Sequence, residues 1–390
     1  MTTPLPVGTR LLHIGPQKTG TTSLQGALHN SRVELEALGV HYAGQVRQQR
    51  VAAAAVIKKA PLPGNDESSL GLWPALVTEV AKSRADRVVI SAEMFSNAGP
   101  AEVREIVAAF GPNTHVVITL RPLVKLMPSQ WQQYVQSWMY TGYESWLDQM
   151  FNHADTSKVS PSFWVRHRHD ELTRRWAEVV GPENVTVIAL DEGRRGMNLR
   201  CFEELLALPA GTLVADERSN RSLTLPEIEL AREINRQFRG RGWPKGVYEK
   251  VVRFGMFDYL KARTPAPGEP QLTTPAWAVE RADQVAAEMI EGIAASGVNV
   301  MGDLQSLRLS VTAPEHVPTV ESVDLELAAR AAIGMIEWGV MEPRRSVVLR
   351  HSKTVLRNTP TRELVKVAAT RTKDKILPPK KGKRKNKKKK

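Results

Sequence analysis

The sequence predicts an α/β protein in which a parallel β-sheet is flanked by helices. Four short apolar segments, at 10–14, 87–91, 115–121 and 184–190, have the composition of buried strands. Stretches with apolar residues at helical spacing lie between them, and this alternation favours crossover connections and a parallel sheet covered on both faces. Ligands of such sheets bind beyond the carboxyl ends of the strands, so polar residues that directly follow a strand are the first candidates for a site.

The first strand leads into a turn that is rich in glycine and hydroxyl side chains. The chain there reads His-Ile-Gly-Pro-Gln-Lys-Thr-Gly-Thr-Thr-Ser over residues 13–23, and a helical pattern follows. A strand–turn–helix of this kind directs backbone N–H groups and the positive end of a helix dipole at one place. A phosphate or sulfate group is the natural ligand. The predicted anion-binding residues are Lys18, Thr19, Gly20, Thr21, Thr22 and Ser23.

Helical spacing and capping signals define the segments between the strands. Pro122 ends a strand and precedes a helix that carries Ser129. Thr224 and Glu227 have the spacing of a capping box, and Pro275 is expected at the first position of a late helix. The predicted elements are helices at 21–37, 45–85 with a loop at 60–66, 101–110, after Pro122, 143–180, 198–208, after Thr224, 275–294 and 325–341, and a strand at 40–42.

Composition narrows the class of protein. The 390 residues are 42% hydrophobic and 24% charged, which is typical of a globular chain with one large domain plus additions, or with two domains. The single cysteine, Cys201, excludes an internal disulfide and a cysteine-based zinc site. The pattern of a secretion signal is missing, and no apolar run is long enough to span a membrane. We therefore expect a cytoplasmic protein with no transmembrane segment and no bound metal.

The net charge of +13 is concentrated at the C-terminus, where the last eleven residues include nine Lys or Arg. We expect a disordered Lys-rich tail at 371–390, preceded by a C-terminal helical extension at 311–370. Such a tail can contact a polyanion or an anionic membrane surface without specificity, and it can equally serve only to solubilise the chain. The tail therefore does not define a function.

The position of the lysine in the turn distinguishes it from the usual phosphate loop. Gly15 and Gly20 keep the glycine spacing of that loop, but Lys18 precedes the second glycine instead of following it. The segment resembles the P-K-x-G-T-T loop of sulfotransferases that use 3′-phosphoadenosine 5′-phosphosulfate (PAPS), with Gln17 inserted after Pro16. The resemblance covers about 8–310 and implies a P-loop NTPase-like sulfotransferase fold with PAPS as co-substrate.

A second part of the resemblance lies about one hundred residues downstream. Arg121 closes a strand, and Ser129 follows eight residues later in a helix. In the PAPS sulfotransferases an arginine and a serine at this spacing hold the 3′-phosphate of the donor. A guanidinium group is well suited to a phosphate dianion, and a helical hydroxyl beside it adds a donor.

Sulfuryl transfer needs a base for the acceptor hydroxyl and a cation for the leaving phosphate oxygen. Lys18 is predicted to stabilise the leaving oxygen, and Glu93, just past the second main strand, is the predicted base. A glutamate commonly has that role in the sulfotransferases that act on sugars. The competing candidates for the base are histidines at 115, 167 and 169, whereas His13 on a buried strand is expected to be a core residue.

The sequence thus predicts a sulfotransferase that acts on a hydroxyl, or less often an amine, of a carbohydrate or small-metabolite acceptor. Two alternatives remain open: a P-loop enzyme of phosphoryl transfer, and a non-catalytic protein that binds polyanions. Asn220 and Ser222 are predicted to close over the donor or the acceptor, or else to cap a helix. The tryptophans are expected more often in the core than in a sugar-stacking cleft; they are Trp131, Trp138, Trp146, Trp164 and Trp176.

Overall fold

A computed structural model of the chain has, within the residues it describes, a six-stranded parallel sheet flanked by helices. It describes 3–62, 65–191, 193–215, 221–308 and 311–339. The strands are β1 Thr9–Gly15, β2 Val40–Tyr42, β3 Arg87–Ser91, β4 Thr114–Leu120, β5 Val185–Ala189 and β6 Asn299–Met301. Their order is β2-β3-β1-β4-β5-β6, and every adjacent pair is parallel. The predicted fold class is confirmed.

Fifteen helical segments of the described chain surround this sheet. They are α1 Thr21–Asn30, α2 Arg32–Ala37, α3 Arg50–Lys58, α4 Leu72–Lys82, α5 Pro100–Phe110, α6 Leu123–Val135, α7 Tyr143–Asn152, α8 Phe163–His167, α9 His169–Val180, α10 Met197–Leu206, α11 Leu225–Gly240, α12 Lys245–Tyr248, α13 Phe257–Ala262, α14 Ala276–Ala295 and α15 325–339. Short 3₁₀ turns lie at Glu67–Gly71, Glu93–Asn97, Pro182–Asn184 and Leu304–Leu307, and Glu249–Met256 is a π-helix.

Alternation along β1 places two hydrophobic cores on opposite faces of the sheet. Leu12 and Ile14 point into a core shared with α3, α4, α5, α9 and α14. Leu11 points the other way, into a core shared with α1, α2 and α10. Because successive side chains of a strand face opposite sides, a strand buried on both faces is continuously apolar, and this made β1, β3, β4 and β5 recognisable in the sequence.

A third core is built from helices alone. Its helices are α6, α7, α8, α11, α12, α13, α14 and α15, together with the π-helix. Trp131 and Trp146 are completely buried here and Trp176 is completely buried against the sheet, which confirms the expected core role of these three. Leu327 and Ala331 anchor α15 in this core. The division into 8–310, 311–370 and 371–390 stays a prediction, and the predicted tail lies outside the described residues.

Several predicted elements differ in their extent. The helix predicted at 21–37 is broken at Ser31 into α1 and α2, and the long segments at 45–85 and 143–180 are each divided into shorter helices. Pro275 is the N-cap of α14 and not its first helical residue. The sequence analysis missed β6, because two of its three residues are exposed at the sheet edge and give no apolar pattern. It also missed the helical stretch from α12 to α13.

The capping box predicted for α11 is confirmed. The Thr224 hydroxyl accepts a hydrogen bond from the Glu227 N–H, and the Glu227 carboxylate accepts one from the Thr224 N–H. The same buried carboxylate also binds Arg221 and Arg263. One glutamate thus starts α11 and holds the chain that leads into it against the end of α13.

No helix of the described ranges has both the length and the apolar composition that would be needed to cross a membrane.

Four histidines are buried in the folded chain and uncharged. Burial lowers the pKa of His13 to about 3 and that of His115 and His169 to about 4. Burial, together with the charge of Arg166, holds the pKa of His167 well below its ordinary value. In the unfolded chain these side chains titrate near pH 6.5.

We predict that the free energy of unfolding falls as the pH decreases from about 6.5 to about 4. In this window the unfolded state binds protons that the folded state rejects, at a cost of about 1.4 kcal/mol per pH unit for each such histidine. Urea denaturation at pH 7 and pH 5 measures the effect. His115→Gln should reduce the slope. Equal stability at the two pH values would contradict the prediction.

Candidate functional site: an anion cavity at the carboxyl edge of the sheet

The turn between β1 and α1 has the geometry of an anion-binding loop. Gly15, Lys18 and Gly20 all have positive φ, of 82°, 69° and 78°. Glycine adopts this conformation without steric cost, whereas a lysine does so only where the surroundings impose it. A Cβ on Gly15 would lie 3.3 Å from the Glu93 Cα, so a glycine there lets the loop approach the Glu93 turn closely. The loop then enters α1, whose first N–H groups have no partner within the helix.

His13 connects this loop to the two strands beside β1. Its Nδ1 lies 2.8 Å from the Ser91 Oγ on β3, and its Nε2 lies 3.4 Å from the Thr119 Oγ1 on β4. The Thr119 hydroxyl in turn lies 2.7 Å from the Thr19 hydroxyl in the loop. All four side chains are buried, and the Gln25 amide also donates to the Ser91 hydroxyl. His13 was predicted as a core residue, and its burial confirms this.

The predicted catalytic pair, Lys18 and Glu93, lies beside this network. Glu93 is two residues past Ser91, and the Thr21 hydroxyl donates a hydrogen bond to its carboxylate. Burial raises the pKa of Glu93, while Thr21 and the positive charge of Lys18 partly oppose the rise. Burial lowers the pKa of the Lys18 amine, and the Glu93 carboxylate opposes that shift. The structure therefore brings Lys18 and Glu93 within electrostatic contact of each other.

Lys18 and Ser129 line the same cavity, which has a volume of about 360 Å³. Ser129 is on α6, one face of which lines this cavity with three glutamines. The opposite side is formed by the π-helix and α13. The further lining residues are Gln132, Gln133, Gln136, Ser137, Arg221, Ser222, Arg253, Phe254, Asp258 and Lys261. The volume is in the range of pockets that bind small molecules, and the lining is mostly polar.

Arg121 lies beside the loop at the end of β4. Its guanidinium Nη1 donates to the Lys18 carbonyl oxygen at 3.4 Å, and its charge contributes to lowering the pKa of Lys18. Lys261 lowers that pKa as well, and its own pKa is lowered by burial and by Arg221 and Arg253. These cations thus repel one another around the cavity, so a ligand with several negative charges would relieve the repulsion.

The other predicted loop residues have distinct environments. The Thr19 hydroxyl is committed to the Pro16 carbonyl and to Thr119, and the Thr21 hydroxyl to Glu93. Thr22 is exposed and Ser23 is half-buried near the start of α1. Thr19 and Thr21 can therefore offer a ligand their backbone N–H groups, while their hydroxyls shape the loop.

A buried arginine holds the Glu93 turn against α6. The Arg166 side chain is 5% exposed and donates to the side-chain Oδ1 of Asn97 at 2.9 Å, to the Ser162 hydroxyl at 2.7 Å and to the Tyr134 hydroxyl. Asn97 ends the 3₁₀ turn that begins at Glu93, and Tyr134 is on the helix that carries Ser129. Arg166 therefore fixes the base candidate relative to the cavity-lining helix.

The competing histidines do not reach this site. His115 is near the start of β4, where its Nε2 lies 2.8 Å from the Thr186 hydroxyl. His167 and His169 are completely buried at the junction of α8 and α9, and burial keeps both uncharged. Of the loop predicted before α11, Ser222 lines the cavity, whereas Asn220 lies outside the described residues.

Sequence reasoning missed three cations of the cavity, namely Arg221, Arg253 and Lys261. Arg253 lies on the π-helix and Lys261 on α13, a stretch for which the sequence analysis predicted no helix. Arg221 is adjacent to the loop residue Ser222 that was singled out. Within the described part of the chain, no three His, Cys, Asp or Glu side chains are placed to hold a metal ion.

Comparisons with known proteins give a distant structural similarity. No protein-family model matches the chain, and no curated protein matches it either. Among solved structures, it is similar to a sulfotransferase from Alicyclobacillus acidocaldarius, with 17% identity over 68% of this chain and 98% of that chain, and with a TM-score of 0.38. A similarity this distant carries no argument about activity, so the function has to be inferred from the site geometry.

We predict that Thr119→Val destabilises the protein by about 1–3 kcal/mol, because it removes the hydroxyl shared by Thr19 and His13 and leaves buried polar atoms without that partner. Urea denaturation measures the change. Thr78→Val is the control: its hydroxyl bonds the Pro74 carbonyl on the exposed side of α4, and we expect a change within about 0.5 kcal/mol. Equal effects of the two substitutions would contradict a contribution of the buried network to the free energy of unfolding.

Proposed function

We propose that the chain is a sulfotransferase that takes a sulfuryl group from PAPS and transfers it to a hydroxyl, or an amine, of a carbohydrate or small-metabolite acceptor. The observation that carries this proposal is the shared cavity: Lys18 and Ser129, more than one hundred residues apart, line one space beside Arg121 and Glu93. A residue from each of the two anion-binding positions inferred from the sequence thus lines one cavity, which supports their binding to the two anionic ends of a single nucleotide.

The cavity fits a donor with negative groups at two ends. Lys18 and the N–H groups at the start of α1 would hold the 5′-phosphosulfate, and Ser129 and Arg121 the 3′-phosphate. Arg253 and Lys261 add positive charge on the opposite wall. The donor, when bound, supplies the activated sulfuryl group.

The chain's own residues would contribute acid–base and electrostatic chemistry. The Glu93 carboxylate, whose pKa burial raises toward neutrality, would accept the proton of the acceptor hydroxyl. The Lys18 ammonium would stabilise the negative charge that develops on the leaving phosphate oxygen. The Thr21 hydroxyl orients Glu93 from the loop that carries Lys18, so base and cation are held in one rigid unit.

The main alternative is phosphoryl transfer from a nucleoside triphosphate. Lys18 precedes the second glycine of the loop, and the carboxylate nearest to it, Glu93, is hydrogen-bonded to Thr21. The alternative predicts Mg²⁺-dependent ATP hydrolysis or transfer, whereas the proposal predicts binding of 3′,5′-bisphosphoadenosine. Binding measurements with both nucleotides distinguish the two. A protein that binds neither nucleotide but binds a polyanion through residues 371–390 would support the other alternative, a non-catalytic protein that binds polyanions.

We predict that Lys18→Ala weakens the binding of 3′,5′-bisphosphoadenosine by about 10- to 100-fold, because it removes a charge-assisted hydrogen bond to phosphate. Isothermal titration calorimetry measures the dissociation constant. Lys82→Ala, an exposed lysine at the end of α4, is the matched control and should bind within about twofold of the wild type. Unchanged binding by Lys18→Ala would contradict the assignment of this loop as the part of the site that binds the 5′-phosphate.

We predict that Glu93→Gln lowers kcat by about 10²- to 10⁴-fold while the dissociation constant of 3′,5′-bisphosphoadenosine changes little, because the variant loses only the proton acceptor. In the wild type, kcat should fall as the pH decreases through the raised pKa of Glu93, since the protonated carboxyl cannot accept a proton. The residual activity of Glu93→Gln should lack this acid limb. A variant that retains full activity would exclude Glu93 as the base.

A further inference from the structure

Helix α15 packs against one wall of the anion cavity. That wall consists of the π-helix and α13, which line the cavity with Arg253, Phe254, Asp258 and Lys261. Between these residues, Gly255, Met256 and Tyr259 contact α15. The cavity therefore shares a wall with a helix near the C-terminal end of the described chain, far in sequence from the phosphate loop.

The backbones of the two helices touch where two glycines meet. A Cβ on Gly255 would lie 2.5 Å from the Gly334 carbonyl oxygen. A Cβ on Gly334 would lie 2.9 Å from the Gly255 carbonyl oxygen and 3.0 Å from the Met256 Cα. In both directions the obstacle is backbone, which cannot rotate away as a side chain can, so a methyl group at either position has to push the helices apart.

Two side-chain contacts on either side of the glycines complete this junction. The Tyr259 hydroxyl on α13 donates to the Glu337 carboxylate on α15. The Trp338 ring lies 6.0 Å from the ring of Phe254, one of the residues that line the cavity. Leu327 and Ala331, each 2% exposed, bury the first half of α15 in the helical core.

The conformation of the wall gives this contact a functional consequence. A π-helix is intrinsically unfavourable and persists where tertiary packing holds it. It contains more residues per turn than an α-helix, so relaxation to α-helical winding would rotate Arg253 and Phe254 relative to Lys261. The direction in which the cavity-lining cations point thus depends on what packs against the other side of the π-helix.

We propose that α15 is a clamp that holds the π-helix in its cavity-lining conformation, with Gly334 as the positioning residue, and that this clamp sets the affinity of the cavity for its anionic ligand. The identity of that ligand as an adenosine bisphosphate rests on the function proposed above. The clamp itself concerns the coupling between α15 and the wall, and it can be tested with a simpler anion.

The test compares Gly334→Ala with Gly339→Ala in the full chain. Both positions are in α15, but a Cβ on Gly339 meets nothing within 4 Å among the described atoms, so only Gly334→Ala introduces a methyl group against the π-helix. Hydrogen exchange of the amides at 249–262 reports the wall, and calorimetry with 3′,5′-bisphosphoadenosine and with inorganic pyrophosphate reports the cavity. Tyr259→Phe, which keeps the ring and removes the bond to Glu337, is the second probe.

We expect Gly334→Ala to accelerate exchange at 249–262 and to weaken ligand binding by about tenfold or more, the equivalent of a modest packing defect. Gly339→Ala should match the wild type within about twofold, and Tyr259→Phe should shift both readouts in the same direction as Gly334→Ala. If Gly334→Ala does not fold, as judged by circular dichroism, Tyr259→Phe decides.

Two results would overturn the clamp: exchange and affinity that are unchanged in Gly334→Ala, or faster exchange with unchanged affinity. Failure of the proposed function looks different. In that case the wild type binds pyrophosphate but no adenosine bisphosphate, and the clamp is judged on exchange and on pyrophosphate affinity. Wild-type protein that binds neither ligand would refute both proposals.

Discussion

The site depends on one buried imidazole. His13, on the central strand, lies between Ser91 on one neighbouring strand and Thr119 on the other, and Thr119 passes the connection on to Thr19. Each of these partners is one or two residues from a predicted functional side chain: Glu93, Arg121 or Lys18. Because buried polar groups need their hydrogen bonds, a shift of any one strand end would break the network at once. The three chemical groups are therefore held in register by the core beneath them.

The charged side chains around this network have opposing effects on one another's pKa values. Lys18 is close to Glu93, which opposes the lowering of its pKa by burial, and close to Arg121 and Lys261, which add to that lowering. Glu93 is in turn surrounded by Lys18, Arg50 and Arg166, yet burial still raises its pKa. A carboxylate whose pKa is raised by burial next to several cations is the kind of arrangement that the proposed proton transfer requires.

The parallel sheet and the turn between β1 and α1 could be predicted because their signals are local. The apolar strand, Gly15 and Gly20, and the strand end at Arg121 can all be read without knowing what packs where. The far wall of the cavity was not predicted, because the sequence analysis recognised no helix at Arg253 and Lys261. The convergence of these two side chains on Lys18 also depends on tertiary packing. Edge strand β6 was missed for a related reason, since exposure removes the apolar pattern of a strand. Glu93 was predicted as the base from its place after a strand, whereas its burial, which raises its pKa, is a property of the fold alone.

The strand order has a consequence for how the chemistry could change. The chain leaves β1 through α1 on one face of the sheet and leaves β4 through α6, while β5 and β6 extend the sheet away from both. Where the segments that follow two neighbouring strands run in different directions, a crevice remains between them that no connecting segment crosses. Residues on the α6 rim, such as Gln133 and Gln136, can therefore be exchanged without touching a strand contact, so new ligand preferences are accessible by substitution on that rim alone.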